Sequence, residues 1–516
     1  MNRFVNLIRP GCRPSNYVLW MCLVVYVFSA KGYLQLSDTD FSVQTAQAIL
    51  TRGQLNIPYV FLSTLKAPSG KSYSKYGIGL PIYYLPFVAA GDGLALLSGR
   101  PASRTTGFLL SFANIPFAML TLILFSKLLR LFEVSEAYSS LCLAGLGLGT
   151  LVWQYAGLDS GEEMQMALLM LAVYAVIRWT PRAVLIGGMG FGWLFLAKQL
   201  YVLFFPVFAM YLLTRRGEMR QRVQRAMLFT IPLVFAGAFD LWLNYIRFRN
   251  PMESGYGLEA TLFFPQQLWR TVPLLLGSFD KGLFIYCPVL VLALFGWRSF
   301  AGAYREEADL CSVLIIENLL LAGAWYSWEG GWSPGPRLLV PFIPLWFLPI
   351  AFLPGWWRSA MGRRFIAFVV LISAVSQIAG ILVKDQEIHQ IKDNVLTLRE
   401  GRYAPSDYVM SWILLQHKLA GQKEIYRTSD FGVPDNPENG LHMRLLDLSS
   451  YRSFAGMNVW TEQLARWSGK PVLHWLPIFG LFLIGWLALD LQKALKAATR
   501  KHSTQTPAQG KGVATL

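Results

Sequence analysis

Long uncharged stretches alternate with short charged ones along most of this 516-residue chain. The first runs from Pro14 to Ala30, behind a basic stretch that carries Arg3, Arg9 and Arg13. Further apolar segments lie near 80–98, 105–126, 137–158, 163–177, 183–197, 199–213, 227–246, 282–297, 309–327, 338–357, 365–383 and 472–489. Several are free of charge for about twenty residues, enough for a helix to cross a hydrocarbon core of about 30 Å. The residues around Ser29-Ala30 do not form a small-x-small cleavage site, so the first segment reads as an uncleaved span. The segments 183–197 and 199–213 are short, with Lys198 between them, and predict two short helices meeting at a recessed lysine.

Counting every segment as a span places the basic residues poorly. With the amino terminus inside, that count puts Arg215, Arg216, Arg220, Arg222 and Arg225 outside, with Lys493, Lys496, Arg500, Lys501 and Lys511 of the tail. Removing 80–98 returns both groups inside, together with Lys127/Arg130, Arg178/Arg182 and Arg358/Arg363/Arg364, as positive-inside topology requires. That segment also contains Pro81, Pro86, Gly91, Asp92 and Gly93, a poor recipe for a continuous lipid-facing helix. It is therefore expected to be interfacial or partly re-entrant, leaving about twelve spans.

The pattern thus predicts an all-α polytopic membrane protein. A transmembrane module fills 1–383, with a first extracytoplasmic loop at 31–104 bearing interfacial helices. An extracytoplasmic region, small and α/β or irregular, follows at 384–471, with a helix-like stretch at 406–420 and a turn-rich run at 430–437. A last transmembrane helix occupies 472–490 and a basic cytoplasmic tail 491–516, with 499–516 expected to be disordered. No internal repeat is visible.

Composition agrees. Hydrophobic residues make up 54% of the chain and charged ones 15%, with mean hydropathy +0.40, where a soluble protein carries about 25% charged residues. The net charge of +16 sits mostly between apolar runs and sets topology, so nucleic acid is not an expected partner. Cys12, Cys22, Cys142, Cys287 and Cys311 are scattered in or beside apolar segments, which argues against a disulfide framework.

Candidate chemistry gathers on the outer side. Asp38 and Asp40 open a run, Phe41 to Leu50, with apolar residues at 43, 46, 49 and 50, the pattern of an amphipathic helix with its acids at the amino end. One acid serves as a cap, and the second is spare for general-base work on an acceptor hydroxyl or amine. Asp159-Ser160-Gly161-Glu162-Glu163 makes up the second outer loop. Asp38, Asp40, Asp159 and Glu162 form an oxygen-ligand set for a divalent cation, whereas the wide spacing of His389, His417 and His442 gives no zinc pattern. Trp328-Glu329-Gly330-Gly331-Trp332-Ser333-Pro334-Gly335-Pro336-Arg337 ends in an arginine at the mouth of an apolar run, costly there without a phosphate or carboxylate partner. Lys198 is a second cation of that kind. Asp240 and Asn244 share a helix face and line substrate or support structure.

These motifs, in this order, resemble the GT-C glycosyltransferases, integral membrane enzymes that use polyprenyl-phosphate sugars; lipid A aminoarabinose transferases and protein O-mannosyltransferases are examples. The resemblance covers roughly residues 1–380. It is carried by the acidic pair after the first span, by Ala46 eight residues after Asp38, by Arg52-Gly53-x-Leu55, and by Lys75-x-x-x-x-Leu80-Pro81-x-Tyr83-Tyr84. Thr39 stands where the family has glutamate, and Asp40 is placed to take its role. The resemblance implies a GT-C-like fold and an inverting transferase at the periplasmic or extracytoplasmic face of a bacterial inner membrane. Asp38 or Asp40 would be the base, Lys75, Arg337 and Lys198 the donor-phosphate contacts, and Asp159, Glu162, Tyr83 and Asp240 would lie near substrate or metal. Partners would be the polyprenyl-phosphate sugar, a glycan, lipid or protein acceptor, and membrane lipids. The alternative is a transporter or flippase of lipid-linked saccharides using Asp240, Glu317 and Lys198, for which the chain lacks related halves.

Overall fold

The computed structural model describes residues 13–34, 37–60, 63–331, 333–391, 406–420, 425–426, 446–447 and 457–504. The chain is an all-α polytopic membrane protein. Among the described residues, five helices are long and apolar enough to cross a membrane: Gly79–Ser98, Ala102–Leu131, Met219–Phe248, Ala360–Leu382 and Pro471–Ala497. Five shorter apolar helices accompany them, at Pro14–Ser29, Pro181–Ala197, Gln199–Thr214, Pro288–Ala303 and Arg337–Phe352.

Several of the apolar runs are broken, and the sequence explains where. The stretch from Arg337 passes from 3₁₀ (Arg337–Phe342) to α (Ile343–Phe347) and back to 3₁₀ (Leu348–Phe352). Pro341, Pro344 and Pro349 each remove an N–H that a continuous α-helix would use. Helix Pro181–Ala197 stops at Lys198, whose backbone is extended (φ −154°, ψ 104°), before the 3₁₀ turn Gln199–Phe204 and the helix Phe205–Thr214. Two short helices do meet at that lysine.

Helix Glu162–Arg178 lies at the centre of the bundle. Pro181–Ala197 packs along one side and Ile115–Leu131 along another, and Met219–Phe248 lies on the far side of Pro181–Ala197. Met164, Met166, Leu169, Met170 and Val173 are fully buried as a result. Between such helices lipid removes the usual hydrophobic drive, and close packing of side chains supplies the cohesion. The central helix therefore delivers its first residue, Glu162, to one end of the bundle.

The segment 80–98 departs from expectation. Gly79–Ser98 is one continuous helix. Pro81 falls in its first turn, where an N–H has no helical partner to lose, although Pro86 lies inside it. Gly91 fits the chain rather than breaking it: its carbonyl accepts the Thr105 hydroxyl at 2.7 Å from the helix Ala102–Leu110 alongside. After the first apolar helix, helix Ser37–Arg52 packs on Gly79–Ser98, and a small hairpin pairs Thr64–Lys66 with Ser72–Ser74.

Two other boundaries shift. The last helix, Leu476–Thr504, continues through residues expected to be disordered, while 505–516 lie outside the described residues. Of 384–471, the described parts are mainly helical (Asp385–Ile391, Asp407–Leu419 and Trp460–Ser468), with one two-residue strand pair, Ile425–Tyr426 with Leu446–Asp447. The turn-rich run 430–437 and His442 lie outside them, as does Cys12. The four described cysteines are buried and free.

Candidate functional site

Asp38 lies in the first turn of helix Ser37–Arg52, where the positive end of the helix dipole favours a carboxylate. Its Oδ2 accepts from Arg337 Nη1 at 2.8 Å and its Oδ1 from the Tyr76 hydroxyl at 2.6 Å. The same guanidinium donates through Nε to Glu162 Oε1 at 2.6 Å. One arginine thus bridges two carboxylates separated in sequence by 299 and 175 positions from it. Glu162 Oε2 is buried with no hydrogen-bond partner among the described residues. Lys198 is close enough that Glu162, Arg337 and Asp38 are the charges acting on it. Burial pushes the Asp38 carboxyl up, but the Arg337 charge, hydrogen bonds from Tyr76 and Arg337, and the Lys75 charge outweigh that and hold it below the ordinary carboxylate range.

Lys75 occupies a neighbouring position. Its ammonium pairs with Glu259 Oε2 at 2.7 Å, and Tyr326 donates to the same oxygen at 3.1 Å. The Tyr256 ring lies 5.5 Å below the ammonium and the Tyr76 ring 5.7 Å away. Tyr256 is reached by the charges of Asp38, Glu259 and Arg337 alike, so the two ion pairs share one electrostatic neighbourhood.

Close backbone approach holds the Lys75–Tyr76 segment against the bundle. A Cβ on Gly77 would fall on the Leu196 carbonyl, and one on Gly79 would stand 2.7 Å from the Ala197 nitrogen. Both neighbours are main chain and cannot move aside, so this position accepts only glycine. The contact seats Lys75 and Tyr76 beside Lys198. Across the mouth, Gly330 has φ +75° in the turn leading to Arg337, and a Cβ there would meet the Arg337 Cβ at 2.9 Å.

Other predicted residues fall in different places. Asp40 is exposed and accepts from Gln44 at 2.6 Å, one turn on along its own helix. Asp159 is buried, and its main-chain carbonyl accepts the Thr39 hydroxyl. Tyr83 donates to the Ala113 carbonyl at 2.7 Å and packs on Phe117, in helix contacts apart from the cluster. Asp240 receives the Gln199 amide at 2.8 and 2.9 Å and Asn244 at 3.1 Å. Asn244 in turn accepts from Arg247, which reaches the Ser74 carbonyl at 3.3 Å. That relay braces the hairpin behind Lys75.

A guanidinium occupies the space between Asp38 and Glu162, Asp40 points elsewhere, and no group of three or more His, Cys, Asp or Glu able to hold a metal converges among the described residues. Tyr76 and Glu259 were not anticipated as members of the cluster. Tyr76 follows Lys75 directly and carried a signal in that adjacency; Glu259 carried none.

No protein-family model matches the sequence, and no curated protein does. Among solved structures the chain is similar to ArnT from Cupriavidus metallidurans in its apo crystal form, with 13% of residues identical, 78% of this chain and 70% of that chain covered, and a TM-score of 0.45.

Proposed function

We propose that this chain is an inverting glycosyltransferase that moves a sugar from a polyprenyl-phosphate donor to an extracytoplasmic glycan, lipid or protein acceptor. The observation that carries the reading is the pairing of Asp38 and Glu162 through Arg337 at the mouth of the bundle, with Lys75 and Lys198 beside it. A donor phosphodiester meets three cations there, and an acceptor meets a carboxylate. The setting fits the motif order in the sequence.

In the reaction an acceptor O–H or N–H attacks the anomeric carbon from the face opposite the phosphate. The anomeric C–O bond to phosphate breaks, its electron pair leaves with the polyprenyl phosphate, and the acceptor proton passes to Asp38. Arg337, Lys75 and Lys198 stabilise the charge that develops on the leaving oxygen, and no covalent enzyme intermediate is needed. While Arg337 holds it, Asp38 is a weak base. Phosphate drawn onto Arg337 competes for the guanidinium, and the Asp38 carboxyl then rises toward its ordinary value, where it accepts a proton more readily.

The test is transfer of radiolabel from a polyprenyl-phosphate sugar to a membrane acceptor extract by purified protein. Wild type transfers label, and Asp38→Asn and Lys75→Ala do not. Movement of the donor lipid across liposomes without label transfer would instead establish a flippase and refute the proposal. An Asp38→Asn variant with full activity would remove Asp38 from the mechanism.

A further inference from the structure

Lys281 lies outside the cluster and is nonetheless buried, 5% exposed. Its ammonium donates to the main-chain carbonyls of Ser333 at 2.6 Å and Gly331 at 3.2 Å, both in the turn that leads to Arg337. It lies 3.4 Å from Asp407 Oδ2. Asp407 is the first residue of helix Asp407–Leu419, is buried, and donates its backbone N–H to Asp280 at 3.2 Å. Tyr408, next along, meets Tyr286 edge-on with centroids 5.4 Å apart. From the bundle side the same turn is held by Tyr155, whose hydroxyl donates to the Pro334 carbonyl at 2.9 Å. Gly331, Ser333 and Pro334 are therefore held through their carbonyls, the first two by a lysine and the last by a tyrosine.

Carbonyl dipoles alone do not compensate a buried ammonium, and a carboxylate does. Asp407 is the carboxylate ion-paired with Lys281, and the Asp385 charge also acts on that lysine, so seating of the helix Asp407–Leu419 strengthens the lysine's grip on Ser333. We infer that Lys281 is a positioning residue: with Asp407 it fixes the Gly331 and Ser333 carbonyls and through them the placement of Arg337, so that seating of helix Asp407–Leu419 is transmitted to the donor-phosphate site. This rests on the reading of Arg337 as a phosphate contact.

Full-length protein in nanodiscs is titrated with undecaprenyl phosphate, following intrinsic tryptophan fluorescence. Lys281→Met and Asp407→Asn each weaken binding about tenfold, since a displacement of about 1 Å at a site of this kind costs up to about 100-fold, and Lys281→Arg restores most of it. The decisive comparison repeats Lys281→Met in an Arg337→Met/Glu162→Gln background, in which Glu162 is neutral once its cation is gone. If Lys281 acts through Arg337, its substitution changes binding there by less than about twofold, because the two effects run through one group. An equal loss in both backgrounds would show that Lys281 acts on stability or on the ligand directly, and would overturn the inference. If wild type does not bind the lipid, or the Arg337 variant binds as wild type does, the reading of the site itself fails. Should Lys281→Met not fold, Asp407→Asn carries the same comparison.

Discussion

Replacing Arg337 by Met is the most informative single change, because its cost separates into two limbs. The Glu162 side chain is 4% exposed and the Arg337 side chain 16%. Deleting the cation leaves Glu162 charged in a nearly dry setting, and breaking a buried pair from one side costs about 3–5 kcal/mol. The Asp38 side chain is 32% exposed, so solvent screens that limb and its loss adds about 1 kcal/mol or less. Arg337→Met should therefore lose about 4 kcal/mol, nearly all of it from Glu162. Adding Glu162→Gln should recover most of that, since the amide is neutral and similar in shape, whereas adding Asp38→Asn should recover little. Equilibrium unfolding in mixed micelles, followed by tryptophan fluorescence, measures all four proteins. A single variant that loses less than about 1 kcal/mol, or a Glu162→Gln double variant no more stable than the single, would refute the asymmetry.

Asp38→Asn should abolish transfer while leaving polyprenyl phosphate binding intact, which a lipid-binding titration beside the transfer assay checks. Its folded carboxyl lies below the unfolded one, so its contribution to stability is complete above about pH 3.9 and is lost as pH falls through the folded value; Asp38→Asn removes that acid limb from the unfolding profile. Gly79→Ala drives a Cβ against the Ala197 backbone and should cost about 1–3 kcal/mol while lowering donor affinity through Lys75, both seen by comparing unfolding with lipid titration. Lys384, 1% exposed with its ammonium 4.8 Å from the Tyr33 ring centroid, is lowered to about 7 by burial and then by Arg466 and Lys418, against the pull of Glu387. Its protonated form therefore opposes folding below that value, and wild type gains stability as pH rises from about 7 toward the unfolded lysine value of about 10.4. Lys384→Met should be the more stable protein at pH 6, with its advantage shrinking by pH 9.

Which elements are helices could be read largely from hydropathy. The two prolines and three backbone-weakening positions counted against continuity at Gly79–Ser98 do not break the helix, and their neighbours could not be known from the sequence; Gly91 lies against the helix that carries Thr105. Asp38 and Arg337 could each be nominated from cost alone, a spare acid in one case and an arginine at an apolar boundary in the other. That they would meet, with Glu162 as third party, depends on packing among elements separated by up to 299 residues, which no local pattern encodes. The choice between Asp38 and Asp40 as cluster member was equally invisible: they lie two positions apart, and only the helix's rotation turns one toward Arg337 and the other to solvent. Gly77 and Gly79 carry no signal of their own in the sequence, and their purpose emerges only against the backbone of Leu196 and Ala197.

Arg337 already holds Asp38 and Glu162, and Lys75 already holds Glu259, before any ligand arrives. An entering phosphate must therefore compete with the protein's own carboxylates for both cations, and its affinity is lower than two unpaired cations would give. Glu259→Gln, which frees Lys75, should then bind polyprenyl phosphate more tightly than wild type, and a lipid titration of the two proteins measures the difference.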